Sequence, residues 1–167
     1  MTDDARPTGR EPENRPIAAA EIPWEEFRHG SRYALRYRHL SAATPGQPYR
    51  VGVAVEELPP GKQSCPAHYH TAEEEHVYVL TGALTVRLGR RRIVMSEGDY
   101  VRFPAGSAEE HCLINHTDRA CTYLVIGERN VDDVRVYPES NKVMIARTRE
   151  IFDRGTTRDY WDGETVD

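Results

Sequence analysis

The sequence predicts an all-β fold, a sandwich or small barrel, and three observations carry that prediction. Short runs rich in Val, Ile, Leu, Tyr and Thr recur along most of the chain. Pro and Gly clusters punctuate them at roughly even intervals. No long amphipathic helical pattern precedes Arg147. Many short strands joined by regular turns build sandwiches and small barrels.

Taken in chain order, residues 1–20 are rich in Pro, Arg, Asp and Glu and poor in large apolar groups, which predicts a disordered or loosely draped leader. Composition changes at Glu21, where Trp24 and Phe27 supply the first large anchors. Strands are expected over 33–40, 49–58, 65–70, 76–80, 83–88, 91–95, 99–103, 111–115, 121–127 and 142–146. Within 49–58, Val51, Val53 and Val55 alternate with Gly52, Ala54 and Glu56, so one strand face carries mostly small residues. Turn chemistry separates the strands at Thr44-Pro45-Gly46, Pro59-Pro60-Gly61, Thr81-Gly82, Gly89-Arg90, Glu97-Gly98 and Pro104-Ala105-Gly106. Residues 21–146 are expected to form the barrel. Residues 147–167 form a polar tail, with Tyr160 and Trp161 as late anchors on the barrel or on a partner subunit.

At 167 residues the chain suits one domain plus extensions. A domain of that size buries roughly 70% of its unfolded surface and needs no disulfide staple. Cys65, Cys112 and Cys121 form no Cys-x-x-Cys pair and read as reduced thiols, the latter two as small buried hydrophobes. A net charge of -5 argues against a nucleic-acid partner. The one basic cluster, Arg87 with Arg90, Arg91 and Arg92, brackets Gly89 and reads as a solvated hairpin tip. No run approaches the ~20 apolar residues of a membrane span, and the first residues lack an apolar signal core. A cytoplasmic protein without a membrane partner is expected.

The chemistry concentrates in few residues. On a strand over 65–70, His68 and His70 point to the same side. The returning strand opens with Glu75, and His111 stands alone downstream. Imidazole nitrogens and a carboxylate suit a borderline divalent ion such as Fe, Mn, Ni, Zn or Cu. His76 follows Glu75 and faces away; His29, His39 and His116 read as packed or exposed residues. Glu73 and Glu74 read as solvated turn acids that make the site mouth negative.

Gly61-(six residues)-His68-x-His70-(four residues)-Glu75-(six residues)-Gly82 resembles the first signature motif of the cupin superfamily. Gly98-(five residues)-Pro104-x-Gly106, with His111-(three residues)-Asn115, resembles the second. The segment also looks like a bacterial group of single-domain, conserved-barrel cupins. The resemblance implies a double-stranded β-helix, the jelly-roll barrel, here with N- and C-terminal extensions. It also implies a divalent transition metal held by His68, His70, Glu75 and His111, and a homodimer. Two departures stand out: Gly61 lies one residue further from His68 than usual, and four residues separate Gly106 from His111 where the usual motif has two. At the usual spacing the ligand position falls on Glu109. Because Glu109 and His111 are two apart, one strand could aim both inward, and Glu109 remains a candidate ligand or base.

A metal with open positions acts on small oxygenated molecules. The leading expectation is an enzyme acting on a sugar derivative or carboxylate by isomerisation, elimination or hydrolysis. Glu75, Glu109 or a tyrosine (Tyr33, Tyr37, Tyr49, Tyr69 or Tyr123) would move the proton. A metal-dependent dioxygenase and a non-catalytic binding or regulatory module are the alternatives. The fold does not choose among them.

Overall fold

The computed structural model describes residues 16–43 and 48–165. Its strands are β1 (Glu25–His29), β2 (Tyr33–His39), β3 (Val51–Leu58), β4 (Tyr69–His70), β5 (Glu75–Thr81), β6 (Ala83–Leu88), β7 (Arg91–Ser96), β8 (Tyr100–Phe103), β9 (His111–Ile114), β10 (Cys121–Glu128), β11 (Val134–Tyr137), β12 (Lys142–Ile145) and β13 (Ile151–Asp153). They pair in the orders β1-β2-β3-β10-β5-β8, β7-β6-β9 and β13-β12-β11-β4. Every strand pairing is antiparallel. Strand β10 returns between β3 and β5, and β9 returns beside β6, the wrapping of a jelly-roll barrel. Helical structure among the described residues is confined to three-residue 3-10 turns, and no helix is long and apolar enough to cross a membrane.

Each of the ten expected strands is present, and one is much shorter. The run 65–70 keeps only Tyr69–His70 as strand, because Pro66 has no N–H to give a ladder. Backbone pairing nevertheless resumes at His68, whose N–H and carbonyl both bond to His111 at 3.2 and 2.8 Å. Strands β1, β11 and β13 were not expected. Strand β1, Glu-Glu-Phe-Arg-His, has no buried face at all. It forms because the turn at Gly30, with φ +56°, folds it back onto β2, a conformation glycine adopts without steric cost.

Alternation along the strands builds one core and points the chemistry into it. On β5, Val77 and Val79 are buried, so Glu75 faces the same interior while Tyr78 is exposed. On β9, His111 shares its inward face with Leu113. Leu58, Leu84, Val86, Met95, Phe103, Cys121 and Tyr123 complete the cluster. Each such fully buried side chain contributes roughly 1.5–3 kcal/mol relative to exposure.

The extensions differ from expectation in detail. Residues 1–15 of the expected leader, and the turn at 44–46, lie outside the described residues. Trp24 lies beneath two guanidinium groups, Arg38 at 4.3 Å and Arg36 at 4.9 Å from its ring centre, a cation–π arrangement. In the tail β13 pairs with β12, but Tyr160 and Trp161 stay 83% and 67% exposed and anchor nothing on this chain. Arg87 is not part of a solvated tip: its side chain is 13% exposed and pairs with Glu139. Cys112 and Cys121 are buried free thiols, as their apolar surroundings predict.

Candidate metal centre

Four side chains from three strands and the segment before β4 converge inside the barrel. His68, His70 and Glu75 each offer one ligand atom, all within 4.8 Å of one another. His111 joins through its Nε2, 3.0 Å from Glu75 Oε2. The rings of His68 and His70 lie 5.0 Å apart and those of His68 and His111 4.9 Å apart. Phe103 stacks flat on His111 at 3.8 Å and fixes its plane.

The outer nitrogens are each tied back to the protein. His68 Nδ1 lies 2.9 Å from the Pro66 carbonyl, so Nδ1–H donates and Nε2 keeps its lone pair. His70 Nδ1 donates to Asp133 Oδ2 at 2.7 Å. Its Nε2 sits 3.5 Å from Glu75 Oε2 and is buried with no hydrogen-bond partner. A buried nitrogen without a partner is costly. Three imidazoles facing one carboxylate, one of them orphaned in this way, fit a borderline divalent ion. An ion about 2.1 Å from each donor spans about 4.2 Å between opposite ligands, comparable with the 4.8 Å that bounds His68, His70 and Glu75; His111 is tied to them through Glu75.

Electrostatics set these groups apart. Burial opposes charge on Glu75, yet the hydrogen bond from His111 and the nearby charge of His70 outweigh it and hold the carboxyl well below the usual carboxylate range. Burial likewise pushes His68 down to about 4. Burial would lower His70 too, but hydrogen bonds to Asp133 and Glu73 and the charge of nearby Glu75 raise it to about 11. His70 is therefore protonated at neutral pH until something displaces that proton.

The acids behind His70 escaped sequence reasoning. Asp133 is wholly buried and accepts from the Ala72 and Glu73 backbone N–H groups at 2.9 and 3.3 Å as well as from His70. Glu73 is a correction: it is not a solvated turn acid but 6% exposed, with Oε2 3.3 Å from His70 Nδ1 and Oε1 accepting from Asn130 N–H. Glu74 stays partly exposed near Arg102 and His76. The only sequence signal for Asp133 was an acid at the mouth of an unrecognised strand, β11.

Glu109 stands apart from the ligand cluster, although it lines a cavity with His70 and His111. Strand β9 begins at His111, so Glu109 lies in the preceding loop and strand alternation does not aim it inward. Its two carboxylate oxygens accept from Arg91 Nη2 at 2.9 and 2.8 Å near the surface. It is not among the clustered ligand groups. Cys65 Sγ lies 3.7 Å from His68 Nδ1, but burial pushes its thiol up to about 12, so it is neutral. His76 faces outward against the Tyr100 hydroxyl at 2.6 Å, and His116 bonds Thr85 at 2.9 Å.

Three spaces reach the cluster; one of about 190 Å³ is lined by His70, His111, Phe103 and Glu109, and the other two are connected. An inner cavity of about 240 Å³ is lined by His68, His70, Glu75, His111, Glu56 and Arg135. A wider one of about 560 Å³ shares Glu56, Glu75, Val125 and Arg135 with it and opens outward past Gly52, Gly127, Arg129 and Arg149. The small residues of β3, Gly52 and Ala54, help to hollow this space. Gly127 is tighter: a Cβ there would come 3.2 Å from Glu75 Cγ. On the same face of β3, burial pushes Glu56 up to about 7. The hydroxyl of the register partner Tyr123 is buried and makes no bond of good geometry. Of the five candidate tyrosines, Tyr37 on β2 and Tyr123 on β10 are both register partners of this acid, and the Tyr37 hydroxyl bonds Glu25 instead.

Known proteins agree with the fold. Residues 54–127 match the family model of the cupin domain. The chain is similar to a sugar phosphate isomerase of the cupin superfamily from Silicibacter pomeroyi, with 25% identity and a TM-score of 0.74, covering 89% of this chain and 98% of that one. A protein of Acidithiobacillus ferrooxidans, provisionally given the same isomerase designation, is 27% identical with a TM-score of 0.74, covering 84% and 90%. A stretch of 62 residues is 32% identical to quercetin 2,3-dioxygenase of Bacillus subtilis; it takes in 37% of this chain and spans only 18% of that enzyme.

Proposed function

Because this chain carries a cupin domain, we propose that it is a metal-dependent enzyme of the isomerase type acting on a small hydroxycarbonyl compound, a sugar derivative. The observation that carries the reading is the orphaned Nε2 of His70 beside His68, Glu75 and His111, all lining the inner cavity. These four residues would hold the ion, which when bound polarises a substrate oxygen and eases loss of a neighbouring proton. The two relatives matched over most of their length, both designated sugar phosphate isomerases, support the same class.

The chain's own groups divide the remaining work. Glu75, held ionised, serves charge balance at the ion better than proton relay. Glu56 suits the relay: it lines both cavities, and a carboxyl near 7 takes and returns a proton at neutral pH. One such group can carry the carbon-bound hydrogen between adjacent carbons of a hydroxycarbonyl compound, taking it up and giving it back, while the hydroxyl proton passes from the alcohol oxygen to the former carbonyl oxygen. Asp133 and Glu73 hold the His70 ring in place.

The test is conversion of a panel of aldoses, ketoses and their phosphates by the metal-loaded protein, followed by mass spectrometry and NMR. Conversion that disappears in His68→Ala, and falls with Glu56→Gln while metal content is kept, is expected. Full turnover by His68→Ala with unchanged metal content would discard the reading. The short stretch shared with quercetin 2,3-dioxygenase favours oxygenase chemistry instead; that reading requires oxygen uptake and no turnover under strict anaerobiosis.

A further inference from the structure

The wide cavity has two chemically different ends. Glu56, Glu73 and Glu75 line it near the histidines; Arg129 and Arg149 line its outward part together with Glu128, and Arg135, shared with the inner cavity, stands between. This is unexpected in a chain of net charge -5. Three arginines elsewhere on the barrel have carboxylate partners close by, Arg36 with Glu57 at 2.6 Å, Arg87 with Glu139 and Arg91 with Glu109 at 2.8 Å, whereas Arg90, Arg92 and Arg119 form no ion pair among the described residues.

The three cavity arginines are not satisfied in this way. Arg135 reaches Glu73 only at 3.5 Å and Asp133 only at 3.9 Å, and its Nε is buried with no partner. Arg129 gives one bond, to the Tyr49 hydroxyl at 3.1 Å, and lies 4.9 Å over that ring. The ring props the guanidinium while leaving most of its donors unused. Arg149 makes no side-chain hydrogen bond or ion pair among the described residues. Its backbone has φ +59°, a conformation disfavoured for residues with a Cβ, and is held there by a bond from its N–H to the Ile145 carbonyl at 2.8 Å.

We propose that Arg129 and Arg149 in the outward part of this cavity, with Arg135 on its inner side, form an anion subsite, which takes the phosphate of a phosphorylated sugar whose oxygens face His68, His70, Glu75 and His111. Guanidinium forks match phosphate oxygens in pairs, and a dianion meets the demand of three cations better than one carboxylate does. The space of about 560 Å³ lies within the roughly 300–1,000 Å³ of small-molecule sites. Acid at one end and base at the other orients such a ligand in a single direction. The inference deepens the isomerase reading and rests on it for which end of the sugar reaches the cluster; the binding of phosphate does not.

The experiment is calorimetric titration of the full chain with glucose 6-phosphate, glucose, gluconate and inorganic phosphate. It is run on the wild type, on Arg149→Ala, on Arg129→Ala with Arg149→Ala, and on His68→Ala. The phosphate ester should bind at least about tenfold more tightly than glucose and than gluconate, with affinity falling as salt rises. The double variant should lose at least about tenfold for the ester and for inorganic phosphate while keeping its metal content and its thermal midpoint. Equal affinity for glucose and its phosphate, equal affinity for gluconate and the ester, or phosphate binding untouched by the double variant would overturn the subsite. His68→Ala separates the two ideas. Retained binding of inorganic phosphate there, with no metal-dependent turnover of any sugar in the wild type, would sink the isomerase reading and leave the subsite standing.

Discussion

Two glutamates of this barrel stand at its two ends of order. Glu75 opens β5, faces the interior and meets the imidazoles of His111 and His70. Glu109 lies in the loop before β9, near the surface, with both oxygens on Arg91. The same functional group is a candidate ligand in one place and half of a surface ion pair in the other. What differs is the backbone: a strand position inherits its direction from the ladder, and a loop position inherits it from whichever partner is nearest.

The largest effect expected from that contrast is on metal. Glu75→Gln should weaken binding of Zn²⁺ or Fe²⁺ by more than about 100-fold, whereas Glu109→Gln should change it less than about twofold, as measured by competition with a chelating dye. Comparable losses in the two variants would erase the distinction. The next effect concerns the acids behind His70. Asp133→Asn should cost about 10–100-fold in metal affinity with the cavity intact, and metal affinity equal to wild type would show that the buried acid only supports the fold.

A pH series sharpens the comparison further. His70 has its folded value raised to about 11, above the ~6.5 of a free imidazole. In the metal-free protein that shift contributes stability fully present below about pH 6.5 and lost as pH rises through about 11. Metal binding runs the other way, because the ion must displace the proton from His70 Nε2. From pH 6.5 to 9 the thermal midpoint of the metal-free chain should therefore fall while the gain in midpoint on adding metal grows. Midpoints that move together would contradict the protonation state assigned to His70. Gly127→Ala should have a smaller consequence, about a two- to tenfold loss of metal affinity as the new methyl group displaces Glu75. Smallest of all, Arg91→Ala should shift stability by no more than about 1 kcal/mol in urea titration, the ordinary size for an exposed pair.

The same contrast explains what was legible in the sequence. Strands with a buried face announced themselves, and so did His68, His70, Glu75 and His111, because period-two alternation and motif spacing encode direction. The expected inward aim of Glu109 failed for lack of one fact, the residue at which β9 begins. Strand β1 was invisible because its stability comes from pairing with β2 and not from an apolar stripe. Glu73 and Asp133 were missed because their burial depends on β11 and β4 lying side by side, contacts between residues some sixty positions apart. Glu56 carried no signal of its own; its altered acidity arises from walls contributed by other strands.

Elemental analysis of the purified chain beside its His70→Ala and Glu75→Gln variants addresses the central claim most directly. Close to one divalent transition-metal ion per wild-type chain is expected after loading and dialysis, with less than about a tenth of that in either variant and an unchanged far-ultraviolet circular dichroism spectrum. Equal metal in all three proteins, or none retained by the wild type after loading, would contradict it.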